Sequence, residues 1–310
     1  MESLNRMALE LVDEAIEFAD ELAVDAYELD NGATVVDFGI DTLGGVEAGL
    51  LLAEIQSSGL ATMSARMDEL AGAPRTYVDV STDHPALALL CSQKAGWEVS
   101  VEDYEALGSG PARALVAEEE EFQRVGYADA FEFAILALET DEHPTEAVAE
   151  HVAEMCDVDP GSVFLPVAPT ASIAGSVATA ARAGELATFR LSELGYDPMD
   201  VLSVTASAPV APVAEDERVA LARTNDALAY GGRAHVVCDA GFDRFDEVAS
   251  TAAEEYGESF SQVFERVDWD FYDVPTSVFA PAQVTVDVVG GEASSYGGTD
   301  EDLLADAFGL

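Results

Sequence analysis

Apolar positions recur at helical spacing in the first part of the chain. Leucine, methionine, alanine and isoleucine fall three or four residues apart over 3–22, and acidic residues lie between them. This spacing places the apolar side chains on one face, which is typical of an amphipathic helix. We therefore expect the chain to open with a helix that packs one face against a core.

The pattern then changes to alternation. Two alternating segments within 26–40 flank the dipeptide Asn31-Gly32. Asn-Gly suits the two central positions of a tight turn, where both residues need positive φ. We expect a β-hairpin here.

Helical and strand-like segments alternate along the rest of the chain. We predict helices over 44–58, 84–97, 144–158, from about 172, 218–229, within 243–266 and over 300–308. We predict strands over 60–67, 75–81, 131–139, 163–169, 233–239 and 278–290. The order predicts an α/β fold of two closely packed lobes with mixed sheets. We place these α/β lobes at 1–165 and 166–310, with the possibility that they exchange terminal segments.

The net charge of the chain excludes some classes of function. The 310 residues include 61 Asp or Glu against 13 Lys or Arg, giving a net charge of −48, and the only lysine is Lys94. Such a surface repels nucleic acid and anionic membranes. Excess carboxylate almost without lysine is typical of proteins kept soluble in concentrated salt, so we expect a halophilic protein. A hydrophobic content of 49% argues against disorder.

Cysteines and termini indicate the compartment. Cys91, Cys156 and Cys238 are odd in number and far apart, which favours a reducing environment. The first residues lack a signal-peptide pattern, and no stretch of 18 residues is apolar without charges. We expect a cytoplasmic protein. The histidines and cysteines show no paired ligand spacing, so we expect no metal.

Two segments have the composition of anion sites. Residues 108–114 place Ser109 and Gly110 in a glycine-rich turn before a helix start, with Arg113 in the first helical turn. The alternative is a tight turn without a ligand. In 167–176, Ser172 can cap a helix beneath small residues that allow close ligand approach, or the small residues serve only helix packing.

Three further positions carry candidate chemistry. Arg182 and Glu185 share a helix face, either as an ordinary surface ion pair or as a carboxylate held charged to orient or deprotonate water. Lys94 is the one lysine in a chain of acidic composition. Its retention is explained equally well by contact with an anionic group and by a position on the solvated surface.

The segment 222–232 combines Arg223, Asn225 and Asp226 with a later Gly-Gly. These polar groups can recognise the edge of a heterocycle, or they can cap and end the predicted helix 218–229. No hydrolase elbow, dinucleotide fingerprint or zinc-binding motif occurs in the right context. The residues alone thus indicate an acidic cytosolic α/β protein with one or two anion sites.

Several longer motifs resemble one family. They are NGATVVDFG (31–39), GGVEAGLL (44–51), TDHPA (82–86), QKAGWEVSV (93–101), GSGPARAL (108–115), VAPTASIAGSV (167–177), AR-x-x-E (181–185), APVAPVA (208–214), RTNDALAYGG (223–232) and VFAPA (278–282). Together they resemble the methenyltetrahydromethanopterin cyclohydrolases over essentially the whole chain.

The resemblance implies an activity: reversible hydrolysis of the methenyl bridge of 5,10-methenyltetrahydromethanopterin to the 5-formyl pterin, without cofactor or metal. It places Glu185 as the group that takes a proton from water and Arg182 as its orienting partner. It also implies a homotrimer with the site in a cleft between two lobes. The substrate contacts it suggests are Lys94, Ser109, Gly110, Arg113, Ser172, Arg223, Asn225 and Asp226.

Other interpretations stay open. A salt-adapted cell need not use methanopterin, so the same hydrolysis on methenyltetrahydrofolate is the first alternative. A pterin-binding protein without turnover is the second. A mimic of nucleic acid rests on net charge alone, which salt adaptation already explains.

Overall fold

The computed structural model describes residues 3–269 and 273–310. Its helices are α1 Leu4–Glu17, α2 Ala19–Leu22, α3 Val46–Gln56, α4 Ala112–Val116, α5 Glu120–Val125, α6 Glu146–Cys156, α7 Ile173–Ala180, α8 Ala183–Leu194, α9 Glu217–Gly231, α10 Phe260–Arg266 and α11 Glu301–Phe308. A π-helix spans Ala86–Gln93, and 3-10 helices span Pro160–Ser162, Pro198–Asp200, Phe245–Glu247, Ser250–Ala252 and Thr276–Val278.

The strands are β1 Asp25–Glu28, β2 Thr34–Asp37, β3 Thr62–Leu70, β4 Ala73–Thr82, β5 Ala95–Val101, β6 Tyr104–Ser109, β7 Ala134–Ile135, β8 Ala137–Glu139, β9 Val163–Ala168, β10 Val201–Pro209, β11 Arg233–Cys238, β12 Gln283–Val288 and β13 Ala293–Gly297. They form two sheets, each mixing parallel and antiparallel pairs. The predicted α/β class with mixed sheets is confirmed.

The chain divides into two compact units. The first contains the residues up to Thr62 together with Leu87–Ala178, and the second contains Met63–Ala86 together with Thr179–Leu310. This division differs from the expected lobes 1–165 and 166–310. The chain passes between the units at three points instead of one.

Strand pairing explains the first difference. The second sheet has the order β13-β12-β11-β10-β4-β3, and residues 77–82 of β4 pair with β10. Because the backbone hydrogen bonds of β4 are made with β10, residues 63–86 belong to the second unit despite their early place in the chain. A contiguous boundary would leave this hairpin without its sheet.

Packing on the first sheet explains the second difference. That sheet has the order β1-β2-β9-β8-β6-β5, with β7 also paired to β9, and β9 runs parallel to both β2 and β8. The following helix α7 packs closely on α3. A side chain at Gly49 would place its Cβ 2.6 Å from the Cβ of Val177, so only glycine permits this approach. The first unit therefore continues to Ala178.

Helices cover one face of the second sheet. Both α8 and α9 contact β10, and α8 also contacts β11. The side chains that alternate toward these helices, such as Val204, Ala206 and Val236, are buried. On the opposite side, Ser203, Thr205 and Ser207 of β10 are partly or fully exposed. Such one-sided burial is common in sheets with antiparallel pairs.

Several predicted elements are confirmed. The hairpin forms with strands paired in the register Tyr27 to Val35. Gly32 has φ +87°, but Asn31 does not have the positive φ expected for it. The opening helix is present as α1 and α2, and the helices over 44–58, 144–158, 218–229 and 300–308 are present with shifted ends. Local periodicity and turn chemistry were sufficient for these elements.

Other segments differ from expectation. The predicted helix 84–97 is a π-helix that ends at Gln93 and continues directly into β5. Strand β10 was not predicted. Its buried face consists largely of alanine and valine, and its other face carries serine and threonine, so its hydrophobic signal is weak. In 243–266 only α10 is an α-helix, and the strand expected over 278–290 is limited to β12.

Within the described residues, no helix has the length and apolar character needed to cross a membrane.

Candidate active site

Arg182 and Glu185 lie at the start of α8 in the second unit. Arg182 is the residue before the first helical turn, and Glu185 lies within that turn. The Arg182 Nε donates a hydrogen bond of 2.9 Å to the Glu185 Oε2. Both side chains are buried, with Glu185 only 3% exposed. Because the pair is buried, the alternative of an ordinary surface ion pair does not apply.

This position suits a carboxylate that must stay charged. Glu185 lies in the first turn of α8, at the positive end of the helix dipole, and the guanidinium of Arg182 adds a full positive charge. Removing one partner of such a buried pair leaves an uncompensated charge. The arrangement therefore holds a charged carboxylate in a fixed orientation, which is what a group that accepts a proton from water requires.

Arg113 and Lys94 lie in a largely buried group of four charged residues in the first unit, which we call the ion cluster: Lys94, Arg113, Glu119 and Glu121. The Arg113 Nε and Nη2 donate to the two oxygens of Glu119 at 2.8 and 2.7 Å. The Lys94 Nζ lies 3.1 Å from a Glu119 oxygen and 2.9 Å from a Glu121 oxygen. Two cations and two carboxylates make the ion cluster neutral.

The remaining donors of Arg113 are also used within the chain. Its Nη1 donates to the backbone oxygens of Leu90, Ser92 and Lys94 at 3.3, 3.1 and 2.8 Å. The guanidinium is fully buried. Gly96 makes room for it, since a Cβ there would lie 2.4 Å from a Glu119 oxygen. These internal contacts support a structural role for Arg113, and the anion contact expected from the sequence stays a prediction.

The cations of the ion cluster also lower the pKa of the Glu119 carboxyl. Burial raises the pKa of its carboxyl, but Arg113 and Lys94 outweigh burial and hold the pKa below its usual range. Lys94 is therefore paired in the folded chain. This geometry favours a structural role for Lys94 over the substrate contact expected from its rarity.

The turn at Ser109 and Gly110 is also satisfied internally. The Ser109 Oγ accepts a hydrogen bond of 3.1 Å from Gln56, and the Gly110 N–H donates to the Ser92 oxygen at 2.8 Å. Gly110 has φ +106°, and a Cβ there would lie 3.2 Å from the Ile135 oxygen. The helix that follows, α4, spans only Ala112–Val116. The segment is a tight turn whose polar groups are bonded within the chain, and the anion site expected there stays a prediction.

Ser172 caps α7, as its position before the small residues predicted. Its Oγ accepts from the Gly175 N–H at 2.9 Å and donates to the Pro169 oxygen at 2.8 Å. A side chain at Gly39 would come within 2.7 Å of the Ser172 side chain. Ser172 therefore fixes the start of a helix.

Arg223, Asn225 and Asp226 all lie on α9. The Asn225 Nδ2 donates to the Leu221 oxygen at 2.8 Å, one helical turn back. Among the described residues, the buried Nε of Arg223 has no hydrogen-bond partner. The Asp226 Oδ1 accepts from the Phe260 N–H at 2.8 Å and so holds the start of α10. This contact gives Asp226 a structural role, and the substrate contact expected from the sequence stays a prediction.

The carboxyl group of Asp226 has a raised pKa because it is buried. Desolvation by the apolar cluster around Tyr230, Phe260 and Val263 raises its pKa to about 7, although the hydrogen bond from Phe260 opposes this rise. Nothing in the sequence near Asp226 indicated its partner, because Phe260 is distant in the chain. The acids of the ion cluster, Glu119 and Glu121, gave a weak signal through their closeness to Arg113.

In the described ranges, no group of three or more His, Cys, Asp or Glu is arranged to hold a metal ion.

Replacing Arg113 with lysine tests the ion cluster. We expect Arg113→Lys to lower the free energy of unfolding by about 3 kcal/mol, because a lysine cannot serve both Glu119 oxygens and the backbone carbonyls. Urea unfolding in molar KCl measures the change. The control is Arg6→Lys on the exposed side of α1, where we expect less than about 0.5 kcal/mol. Equal effects of the two variants would contradict the structural role.

Asp226 predicts a pH effect on stability. Its folded pKa of about 7 lies above the ordinary aspartate value of 3.8, so the folded state keeps a proton that the unfolded state has lost. Stability from this group is present at low pH and declines as pH rises through 7. Asp226→Asn keeps the acceptor for Phe260 and cannot ionise. We therefore expect the variant to gain more stability over the wild-type protein at pH 8 than at pH 5.

The midpoint of thermal unfolding at pH 5 and pH 8 checks this expectation. Asp216→Asn is the control, because Asp216 caps the start of the same helix from an exposed position. A loss of stability at both pH values in Asp226→Asn would show that the carboxylate itself is required.

Comparison with known proteins gives the family. The model of the family described as Cyclohydrolase (MCH) matches residues 3–308. The methenyltetrahydromethanopterin cyclohydrolase of Halobacterium salinarum is 60% identical over 310 residues, covering 100% of both chains. The proteins of the same name from Methanosphaerula palustris and Methanoculleus marisnigri are 40% and 38% identical over 314 residues, again across 100% of each chain. The chain belongs to the cyclohydrolase (MCH) family.

Proposed function

We propose that this protein is a methenyltetrahydromethanopterin cyclohydrolase, which reversibly hydrolyses 5,10-methenyltetrahydromethanopterin to the 5-formyl compound. Full-length identity to relatives of that name supports the proposal. The observation that carries the mechanism is the buried contact between Arg182 and Glu185 at the start of α8.

The substrate determines what the enzyme must supply. Its methenyl bridge is part of a cyclic amidinium cation, so the bridge carbon is already electrophilic. The enzyme has to position a water molecule against that carbon and remove a proton as the C–O bond forms. A carboxylate does both, and its negative charge also favours the cationic substrate.

We assign that role to Glu185. Its carboxylate takes one proton from the attacking water and later releases it to solvent. The second water proton passes to the departing nitrogen as its bond to the bridge carbon breaks, and the carbon becomes the formyl group. One cation and one water thus give a neutral product and one proton. Arg182 positions Glu185 through the hydrogen bond from its Nε.

Substrate contacts are assigned to α9. Arg223 has a buried Nε that the described part of the chain leaves without an acceptor, which supports contact with an anionic or carbonyl group of the substrate. Asn225 lies on the same helix, and one of its two amide N–H groups donates to the Leu221 oxygen; we assign its amide oxygen an accepting contact with the substrate. Ser172 acts indirectly, through the start of α7.

The proposed assembly and cellular compartment rest on the net charge of the chain and on its resemblance to the family. We propose a homotrimer in the cytoplasm of a salt-adapted cell, acting without metal or cofactor and without a nucleic-acid or membrane partner. The net charge of −48 supports salt adaptation and opposes binding to polyanions. The similarity to a Halobacterium protein agrees with a halophilic origin.

Loss of the methenyl chromophore tests the reaction directly. Purified protein in molar KCl receives methenyltetrahydromethanopterin or methenyltetrahydrofolate in parallel. We expect hydrolysis of the methanopterin compound. Preference for the folate compound would change the carrier but not the reaction. Binding of either compound without hydrolysis, in folded protein, would contradict the proposal and favour a pterin-binding protein.

The base is tested by removing its charge. We expect Glu185→Gln to lower kcat by about 10²-fold or more, the usual contribution of a general base. The matched control is Glu193→Gln on the same helix, because Glu193 is exposed and pairs loosely with Arg190 at 3.5 Å. Stopped-flow absorbance gives kcat for both variants. Unchanged turnover in Glu185→Gln would remove Glu185 from the mechanism.

A further inference from the structure

The first turn of α8 carries Glu185, and its start is not held by a side chain at the usual capping position. Arg182 occupies that position, and its side chain makes no capping hydrogen bond. A capping side chain must accept from backbone N–H groups, whereas a guanidinium has only donors. The backbone of Arg182 is also αR, with φ −90° and ψ −2°, instead of the extended conformation of a typical cap.

Gly184 makes the same turn harder to hold. It lies within α8, directly before Glu185. Glycine weakens a helix, because its backbone has more conformations available whenever the helix opens. The peptide group between Gly184 and Glu185 sets the direction in which the carboxylate side chain leaves the backbone. Movement at Gly184 would therefore move the candidate base.

Thr188 makes a contact that restrains this peptide group. Its Oγ1 donates a hydrogen bond of 2.8 Å to the Gly184 oxygen, one helical turn back. The helical N–H of Thr188 has the same oxygen as its acceptor, so two donors from one residue hold the carbonyl. Thr188 is fully buried. Water therefore does not compete for its hydroxyl.

The surroundings of Thr188 keep its hydroxyl in place. Its neighbours on α8, Ala187 and Leu191, are also fully buried, and α8 contacts both β10 and β11. A threonine side chain is branched at Cβ and has few rotamers in a helix. Thr188 is thus a rigid point of attachment for the turn that carries Glu185.

We propose that Thr188 is a positioning residue for Glu185, acting through the Gly184 carbonyl. The inference rests on the proposed function, since it requires that Glu185 takes the proton from water. Thr188 does not touch the reacting atoms. Its hydroxyl holds the peptide group before Glu185 in one orientation, so that the carboxylate meets water in the same geometry at each turnover. A misplacement of about 1 Å in such a geometry lowers the rate by about 10²-fold.

Removal of the hydroxyl tests the proposal. Thr188→Val keeps the branched shape and loses the donor. We expect kcat to fall about tenfold and KM to change less than about twofold, because the substrate contacts are assigned to α9. Thr188→Ser keeps the donor, so we expect its kcat to return to within about threefold of the wild-type value. Stopped-flow absorbance in molar KCl measures both constants.

Ser250→Ala is the matched control. Ser250 is buried in the second unit, and its Oγ donates to the Ala229 oxygen. The control therefore also removes a buried hydroxyl that is bonded to a backbone carbonyl, but outside α8. We expect its kcat to stay within about twofold of the wild-type value. All variants are compared at equal concentrations of folded protein, measured by near-UV circular dichroism.

Amide hydrogen exchange supplies a readout that does not depend on activity. Amides at the start of a helix exchange with solvent when that turn opens. We expect Thr188→Val to speed the exchange of amides 186–188 at least about threefold, after correction for the intrinsic rate of each residue. Ser250→Ala should leave these amides unchanged.

The outcomes separate the two proposals. A folded wild-type protein that hydrolyses neither pterin overturns the proposed function, and the positioning role of Thr188 fails with it. If the wild-type protein is active, an unchanged kcat in Thr188→Val or a kcat that Thr188→Ser does not restore overturns the positioning role alone. Loss of kcat without faster exchange in α8 overturns the route through Gly184. Equal losses in Thr188→Val and Ser250→Ala would show a merely structural role.

Discussion

The buried guanidinium of Arg113 is the constraint around which part of the first unit is arranged. A helix leaves its last carbonyls without partners, and the π-helix ends beside the carbonyls of Leu90 and Ser92. Arg113 donates to both, and Glu119 neutralises it. Because desolvating a charge is costly, every partner must be present together. The close approach at Gly96 and the extra pairing of Lys94 follow from that requirement.

Sequence reasoning succeeded where the decisive information is local. The Asn31-Gly32 turn, the cap at Ser172 and the spacing of Arg182 and Glu185 each depend on neighbours within a few residues. It failed where a distant partner decides. Nothing near β4 specifies β10, and no local pattern shows that the donors of Arg113 are used by backbone carbonyls.

Positive charge is scarce in this chain, and its placement is informative. Only 13 of 310 residues are Lys or Arg. Two lie in the ion cluster, Arg182 pairs with Glu185, and Arg66 pairs with Asp68 and Asp79. Each of these positions also holds carboxylates, so the basic residues neutralise charge at particular places while the acidic excess lies elsewhere. At α8, Glu185 pairs with Arg182 and Glu193 pairs with Arg190, so each of these two carboxylates has its own arginine.

The discontinuous second unit has a consequence for synthesis on the ribosome. Ser81 finds its partner Thr205 only after the intervening first unit has been made. The first unit can therefore complete its sheet while the hairpin of β3 and β4 still has no third strand. During that interval the hairpin is an unprotected edge that invites wrong pairing. Nascent chains of this protein thus depend on the polar residues of that hairpin to stay apart until β10 emerges.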